Sequence, residues 1–470
     1  MELSDLYLEK NISQRPALEL LVSLGYQLLS PAECSAQRGS RFGVLLNDSL
    51  RGQLRRLNRY TYGGAVNEFS AENVERAIRD LSRPPSEGLL HSGERVYNML
   101  MLGQSYPETV GEGRTLSFNL NYIDWEQPQN NLFQATWEFS VESADGEFVA
   151  RPDIVLFVNG IPFATIECKA PGENVNTAVE ETVRNQQAGH IPHLFHSVQL
   201  VMASNVNEVR YATAGTAKKF WNVWKEQDEA FLAQKLEQCV RGREPTEQDR
   251  CMISLFAPER VLELMRYFVL FDGRVKKVCR YQQFFAVREI MNTISHRDEA
   301  GRRQGGVIWH TQGSGKSLTM AMVAKRILME LSACHPRVVL VTDRRELDAQ
   351  IASTFSHTRL SPARATSGRH LVDLIAQGRA DIVTTVINKF DTAQRLKTQV
   401  ESPDVFVLVD EGHRSNSGLL HTKMKLVFPN ACYIAFTGTP LMKSEKNTIA
   451  RFGGRLIHTY TIKDGVDDKV

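Results

Sequence analysis

An apolar run, Val307-Ile308-Trp309, stops at Gly313-Ser314-Gly315-Lys316-Ser317, and the helix-forming Leu318-Thr319-Met320-Ala321-Met322-Val323-Ala324-Lys325 follows at once. A strand that turns through glycines straight into a helix belongs at the carboxyl edge of a sheet whose strands alternate with covering helices. The same turn makes a phosphate cradle. Backbone N–H groups from Gly313 to Lys316 would wrap a triphosphate at a helix N-terminus, where unpaired donors and the helix dipole favour negative charge. Lys316 would reach the β- and γ-phosphates of ATP, and the Ser317 hydroxyl would hold Mg²⁺. His310 stands where the pattern G-x-x-x-x-G-K-[ST] has its first glycine.

From this loop onward short apolar strands alternate with amphipathic helices. The strands are expected at Val307 to Trp309, Val338 to Val341, Ile382 to Thr385, Val405 to Val409 and Tyr433 to Phe436. Such alternation predicts a parallel sheet covered by helices, with its sites at the carboxyl ends of strands. After the fourth strand comes Val409-Asp410-Glu411-Gly412-His413. Two acids ending a buried strand are costly unless something compensates them. Mg²⁺ carried by ATP would do so, with Asp410 contacting the metal and Glu411 polarising the water that attacks the γ-phosphate.

A second informative stretch runs from Arg151 to Lys169 and reads as two strands joined at Asn159-Gly160, a hairpin signal. Glu167 and Lys169 are two apart and share one face of the second strand. The hairpin folds Asp153 back beside them. Two carboxylates and an ammonium in one place suit phosphodiester hydrolysis: Asp153 and Glu167 bind Mg²⁺, the metal acidifies a water, and Lys169 orients the nucleophile or neutralises developing charge. A solvated strand face is the bland alternative for the same residues.

Elsewhere the sequence is plainer. Within residues 14 to 29, Leu18, Leu20, Leu21, Leu24 and Leu28 form a helical stripe ending near Gly25-Tyr26, which suits a helix packed on a sheet. Val198 to Met202 and Val209 to Thr213 read as a strand pair, and residues 251 to 275 as helical with Val261, Leu264, Met265, Phe268 and Val269 on one face. Arg51, Arg55, Arg56 and Arg59 read as a solvated helix face. A polar stretch from Gln238 to Arg250 marks a boundary, so domains are expected over 1–245 and 280–470, with a helical linker over 246–279. An apolar fraction of 42% excludes a disordered chain, and a net charge of +2 leaves any nucleic-acid surface to local clusters. The seven cysteines show no C-x-x-C and no zinc spacing, which reads as a reducing cytosol. No signal peptide and no run of about 20 apolar residues points to a membrane.

Gly313-Ser314-Gly315-Lys316-Ser317, Asp410-Glu411-Gly412-His413 and Thr437-Gly438-Thr439-Pro440 resemble motifs I, II and III of superfamily 2 helicases and translocases, the second in its DEAH form with Gly412 for alanine. Many loops of that class share the departure at His310. Arg280-Tyr281-Gln282-Gln283 resembles the adenine-reading element, in which Gln283 would hydrogen-bond the base. Thr342-Asp343-Arg344-Arg345-Glu346-Leu347 resembles motif Ia, which with Ser367-Gly368 and Thr384-Thr385 would lie along a nucleic-acid backbone. Pro152-Asp153 followed by Glu167-x-Lys169 resembles the PD-(D/E)xK nuclease motif, whose downstream glutamine would be Gln186 or Gln187.

A nuclease-like domain followed by such a motor resembles the restriction (R) subunit of type I restriction enzymes, HsdR, over nearly the whole chain. The resemblance implies an α/β fold, an N-terminal PD-(D/E)xK endonuclease-like domain followed by a RecA-like parallel-sheet P-loop domain. It implies ATP-dependent DNA translocation coupled to Mg²⁺-dependent cleavage of double-stranded DNA. The work would be done in the cytoplasm with methyltransferase (M) and specificity (S) subunits that read the target. No second RecA-like domain precedes Val470, so the chain is expected to be a fragment that binds ATP weakly without hydrolysing it efficiently. Two other readings stay open: a helicase or remodelling ATPase with a non-catalytic N-terminal DNA clamp, and a nucleotide-binding assembly module without catalysis.

Overall fold

The computed structural model describes residues 9–83, 88–272, 275–342, 362–396, 398–410, 417–438, 449 and 452–468. The chain divides into two compact units, Met1–Val269 with Arg274–Val278 and Leu270–Gly273 with Cys279–Val470.

The first unit is built on a six-stranded sheet whose strands lie side by side in chain order. They are β1 (Gln27–Leu29), β2 (Phe133–Trp137), β3 (Ile154–Val158), β4 (Ile161–Cys168), β5 (Leu200–Ser204) and β6 (Val209–Ala212). β1 runs parallel to β2 and β4 to β5; the other neighbours are antiparallel. Helices of this unit include α1 (Arg15–Ser23), α2 (Pro31–Arg38), α3 (Asn47–Leu57), α4 (Ala71–Ser82), α5 (Val175–Asn185), α6 (Glu247–Phe256) and α7 (Pro258–Tyr267). Because β3 and β4 hold the centre of the sheet, every residue of both is buried. Their sequences are nearly continuous apolar runs for that reason.

The β3–β4 hairpin is set by local chemistry. Asn159 (φ 53°) and Gly160 (φ 79°) both take left-handed backbone, which the tight turn between twisted strands requires. At Gly160 a Cβ would also lie 2.6 Å from the Leu46 carbonyl oxygen. Pro162, which has no N–H to give the ladder, coincides with a register shift between Pro162 and Ala164. Past that shift Thr165 faces Val155 and Ile166 faces Ile154. The next pair outward is Glu167 and Asp153.

Two helix expectations need correction. The leucine stripe ends near Gly25-Tyr26 as expected but does not include Leu28, because α1 stops at Ser23 and Gly25 (φ 103°) turns the chain into β1. Leu28 therefore lies on a strand, 38% exposed. The helical period expected through Val269 ends with α7 at Tyr267, and Val269 opens a strand. Both α6 and α7 bond within the first unit: Tyr26 Oη donates to Phe256 O at 2.7 Å, and Tyr97 Oη to Met265 O at 2.9 Å.

The second unit contains β7 (Gly306–His310), β8 (Arg337–Thr342), β9 (Ala363–Arg364), β10 (Ile382–Val386), β11 (Val405–Asp410), β12 (Cys432–Thr437) and β13 (Leu456–Tyr460). They form one sheet in the order β9-β10-β8-β11-β12-β7-β13, with every pair parallel. The five strands expected from the sequence form its middle. The edge strands β9 and β13 carry weaker apolar signals because half or more of their residues reach solvent at least partly. Helices α8 (Tyr281–Ser295) and α9 (Lys316–Glu330) lead into β7 and out of the loop after it.

Candidate functional site

The hairpin brings Asp153, Glu167 and Lys169 together at the open end of β3 and β4. Asp153 Oδ2 accepts the Cys168 N–H at 2.7 Å, and the Lys169 N–H donates to Ser204 O at 2.8 Å, so both residues are fixed by the sheet itself. Lys169 Nζ lies 3.7 Å from Glu167 Oε1. It also lies 3.0 Å from Glu181 on α5 and 3.9 Å from Glu9. Three carboxylates thus surround one ammonium.

The electrostatics follow from that count. Burial, then the neighbouring Asp153 and Glu181, push the Glu167 carboxyl well above the ordinary range. Burial also raises Asp153, against the pull of the Cys168 N–H and Lys169. Lys169 is raised: burial works against its charge, but the Glu181 hydrogen bond and the other acids outweigh it. A buried acid pair with one cation is under-compensated, and a divalent cation would relieve it. Among the described residues no three His, Cys, Asp or Glu side chains stand close enough to ligate one ion. Two carboxylates are the kind of donor set that Mg²⁺ usually takes, completed by water and substrate phosphate.

Residues far away in sequence support this end of the sheet. Gln14 Nε2 donates to Asp153 O at 2.9 Å. Gln248, buried on α6, accepts from Ser13 Oγ at 2.9 Å and Ser204 Oγ at 2.8 Å, while its Nε2 donates to Ser13 O at 2.9 Å. Gln186 and Gln187 are not brought to the acids. Gln186 Oε1 accepts the Gly215 N–H at 2.6 Å and its Nε2 bonds back to Thr182 O, whereas Gln187 is exposed. The α5 residue that reaches Lys169 is Glu181. Its signal was the helix phase, since Glu181 flanks the buried Ala178 and Thr182 on the turn after Lys169. Glu9 had no signal at all.

In the second unit, β7 delivers Thr311 to Gly315 into the N-terminus of α9. Gly313 (φ 85°) and Gly315 (φ 86°) take the left-handed backbone that turns donors inward. Lys316 is buried, with Nζ 3.3 Å from both His310 O and Thr311 O. Ser314 is buried and its Oγ donates to Thr311 O at 2.7 Å; Ser317 is half-buried. His310 points away from the loop toward β13, where its Nε2 lies 2.9 Å from His458 Nδ1, and burial drives its pKa well down. A side chain is tolerated there because it leaves the cradle.

Gln283 packs on the loop: its Nε2 donates to Gly315 O at 3.1 Å and its Oε1 accepts the Arg280 N–H at 2.8 Å. Asp410 ends β11, opposite Phe436 of β12, and Thr437 at the end of β12 faces Trp309 of β7. Two strand spacings, about 10 Å, separate β7 from β11. Gly438 closes on the loop, since a Cβ there would lie 3.0 Å from Lys316 Nζ. Glu411, Gly412, His413, Thr439, Pro440 and the run Asp343 to Leu347 lie outside the described residues.

Residues 6–220 match the family model for the type I restriction enzyme R protein N terminus, and residues 282–470 match that for the SWI2/SNF2 ATPase. The first match contains the hairpin acids and the second contains the phosphate loop and Asp410. The type I restriction enzyme HindI endonuclease subunit of Haemophilus influenzae is 29% identical over 98% of this chain and 45% of its own length. The type I restriction enzyme SauMSSORF170P endonuclease subunit of Staphylococcus aureus is 28% identical over 74% of this chain and 36% of its own length. The chain thus spans less than half the length of the relatives it matches. No helix among the described residues is long and apolar enough to cross a membrane.

Proposed function

We propose that this chain is a member of the family of type I restriction enzyme R proteins and forms the nuclease-bearing and nucleotide-binding part of a restriction subunit, a reading supported by the two matched domains and the similar endonuclease subunits. In the whole subunit, ATP-driven translocation along double-stranded DNA would be coupled to Mg²⁺-dependent cleavage. Methyltransferase (M) and specificity (S) subunits would supply target recognition in the cytoplasm. The nuclease domain is assigned to 1–245, a helical connection to 246–279 and the first RecA-like motor domain to 280–470.

The observation that carries the nuclease assignment is the buried, acid-rich end of the hairpin. Asp153 and Glu167 would hold Mg²⁺, which when bound acidifies a water and polarises the scissile phosphate. Lys169, kept protonated by the acids around it, would orient the attacking oxygen and offset charge on the phosphate through Nζ. The Cys168 N–H holds Asp153 in place, and Gln14 fixes the backbone behind it.

In the motor domain, backbone donors of Gly313, Ser314 and Gly315 would cradle the ATP phosphates. Lys316 would exchange its carbonyl contacts for the β- and γ-phosphates, and Ser317 and Asp410 would take the nucleotide's Mg²⁺. Glu411 would polarise the attacking water. Gln283 would read adenine; each end of an amide has capacity for a second hydrogen bond beyond those it already makes.

The test uses a full-length subunit assembled with its partners. Alanine at Asp153 or Lys169 should abolish DNA cleavage while ATP-driven translocation continues. Unchanged cleavage would instead favour an N-terminal domain that only clamps DNA.

A further inference from the structure

The first unit holds a second concavity, of about 880 Å³, that none of Glu9, Asp153, Glu167, Lys169 and Glu181 lines. That volume is in the range of sites for nucleotide-sized ligands. Among the described residues its wall is basic, with Arg38, Arg51, Arg79 and Arg83 set against two acids, Glu75 and Asp145. Both acids are engaged already: Glu75 holds Arg51, and Asp145 accepts from Ser143 Oγ and the Glu147 N–H. Arg38, Arg79 and Arg83 make no ion pair with any described residue.

Arg38, at the end of α2, is the telling one. Its side chain is buried, its guanidinium lies 4.1 Å from the Phe139 ring centroid, and its Nη1 donates to Ser140 O at 2.9 Å and Gly43 O at 3.3 Å. Its Nε is buried with no hydrogen-bond partner among the described residues. A buried guanidinium without a carboxylate is costly unless an anion completes it. His190 and His193 line the same space.

The cavity also has a flat face. Phe42, 46% exposed, stacks on His193 with ring centroids 4.3 Å apart and planes 21° from parallel. Burial holds the His193 imidazole down to about 4, so it is neutral near pH 7 and offers hydrogen bonding and a ring surface rather than charge.

We propose that this cavity binds a nucleotide unit, with its phosphate on Arg38, Arg79 and Arg83 and its base against the stacked Phe42–His193 pair. Arginine forks match phosphate geometry, and base stacking on rings is tolerant of sequence. The unit could be a free nucleotide or the phosphorylated end of a DNA strand; both present the same chemistry.

Titration calorimetry on the full chain in EDTA tests this, because EDTA removes divalent metal from both other sites. The probes are dTMP, a 5′-phosphorylated dT tetranucleotide and thymidine. Saturable binding of dTMP is expected, with thymidine at least tenfold weaker. The double variant Arg79→Glu, Arg83→Glu, which changes two exposed side chains, should weaken dTMP at least tenfold with an unchanged melting midpoint. Phe42→Ala should weaken dTMP several-fold while leaving inorganic phosphate unaffected. A tetranucleotide that binds more tightly than dTMP identifies a strand end as the ligand, and equal affinity identifies a free nucleotide. Absence of saturable dTMP binding at millimolar concentration, or equal affinity in the folded double variant and the parent, overturns the proposal.

Discussion

Replacing Lys169 by methionine removes the ammonium from the hairpin cluster and keeps most of its apolar stem. Its Nζ stands 3.0 Å from Glu181, 3.7 Å from Glu167 and 3.9 Å from Glu9. The side chains of Glu181 and Glu9 are about one third exposed, so solvent screens them, whereas that of Glu167 is 7% exposed. At an effective dielectric of about 20, unit charges this close to Glu167 attract by roughly 4 kcal/mol. Breaking a buried pair costs about 3–5 kcal/mol.

We therefore expect Lys169→Met to destabilise the first unit by about 3 kcal/mol at pH 8 in EDTA, a fall of roughly 6–12 °C in its melting midpoint. The loss must depend on pH. Glu167 already has a folded-state pKa above its unfolded value, and the variant raises it further. Such a group favours folding below its unfolded pKa, and that advantage is lost as pH rises through the folded one. As the pH falls toward 5 the raised Glu167 carboxyl is protonated in parent and variant alike, the charge pair with Lys169 no longer contributes, and the deficit should shrink below about 1 kcal/mol. Added Mg²⁺ should restore part of the deficit at pH 8, since a divalent ion replaces the missing positive charge. Circular-dichroism melts at both pH values decide the matter. A deficit equal at pH 5 and pH 8 would mean that the lysine only packs, and the electrostatic reasoning would be refuted.

Gly315→Ala forces an L side chain into φ +86°, at about 1–2 kcal/mol, and places its Cβ 2.5 Å from Gln283 Nε2. Affinity for a fluorescent ATP analogue should drop at least tenfold, and adding Gln283→Ala should not rescue it, because the strain is in the backbone; full rescue would contradict this. Asn159→Ala strips three hydrogen bonds, the buried pair from Nδ2 to Tyr122 O and Asn131 Oδ1 and the part-buried one from the Leu132 N–H to Oδ1. Urea unfolding should show a loss of about 3 kcal/mol, and a loss under about 1 kcal/mol would mean that the turn does not depend on those bonds. Gln248→Ala unties Ser13 and Ser204 behind the acids, so Mg²⁺ should stabilise that variant less than the parent in thermal melts; equal stabilisation would show that the network is not needed to hold the site.

What the sequence revealed was local. Asn159-Gly160 specified the hairpin because left-handed backbone is a property of those residue types, and a hairpin in turn fixes which residues meet across it. Asp153, Glu167 and Lys169 could therefore be brought together on paper. Glu9 and Glu181 could not, because they arrive from other elements and their approach depends on how α5 and the N-terminal helical turn pack. The same limit hid the placement of Gln186, whose amide serves the Gly215 backbone. In the second unit the phosphate loop and the five central strands were legible as buried apolar runs. The edge strands β9 and β13 lack that pattern, and His310 became intelligible only when β13 supplied His458 beside it. At the N-terminus Gly25 marked the end of the helix, while the leucine period continued past it and carried Leu28, a strand residue, into the helical stripe.

The metal site proposed here is held by the hairpin acids Asp153 and Glu167. It is tested most directly by Mn²⁺ binding to the nucleotide-free chain, followed by electron paramagnetic resonance. The account predicts a bound ion that survives Asp410→Ala and is lost in both Asp153→Asn and Glu167→Gln, each folded as judged by circular dichroism. Retention of that ion in the folded Asp153→Asn and Glu167→Gln variants would contradict it.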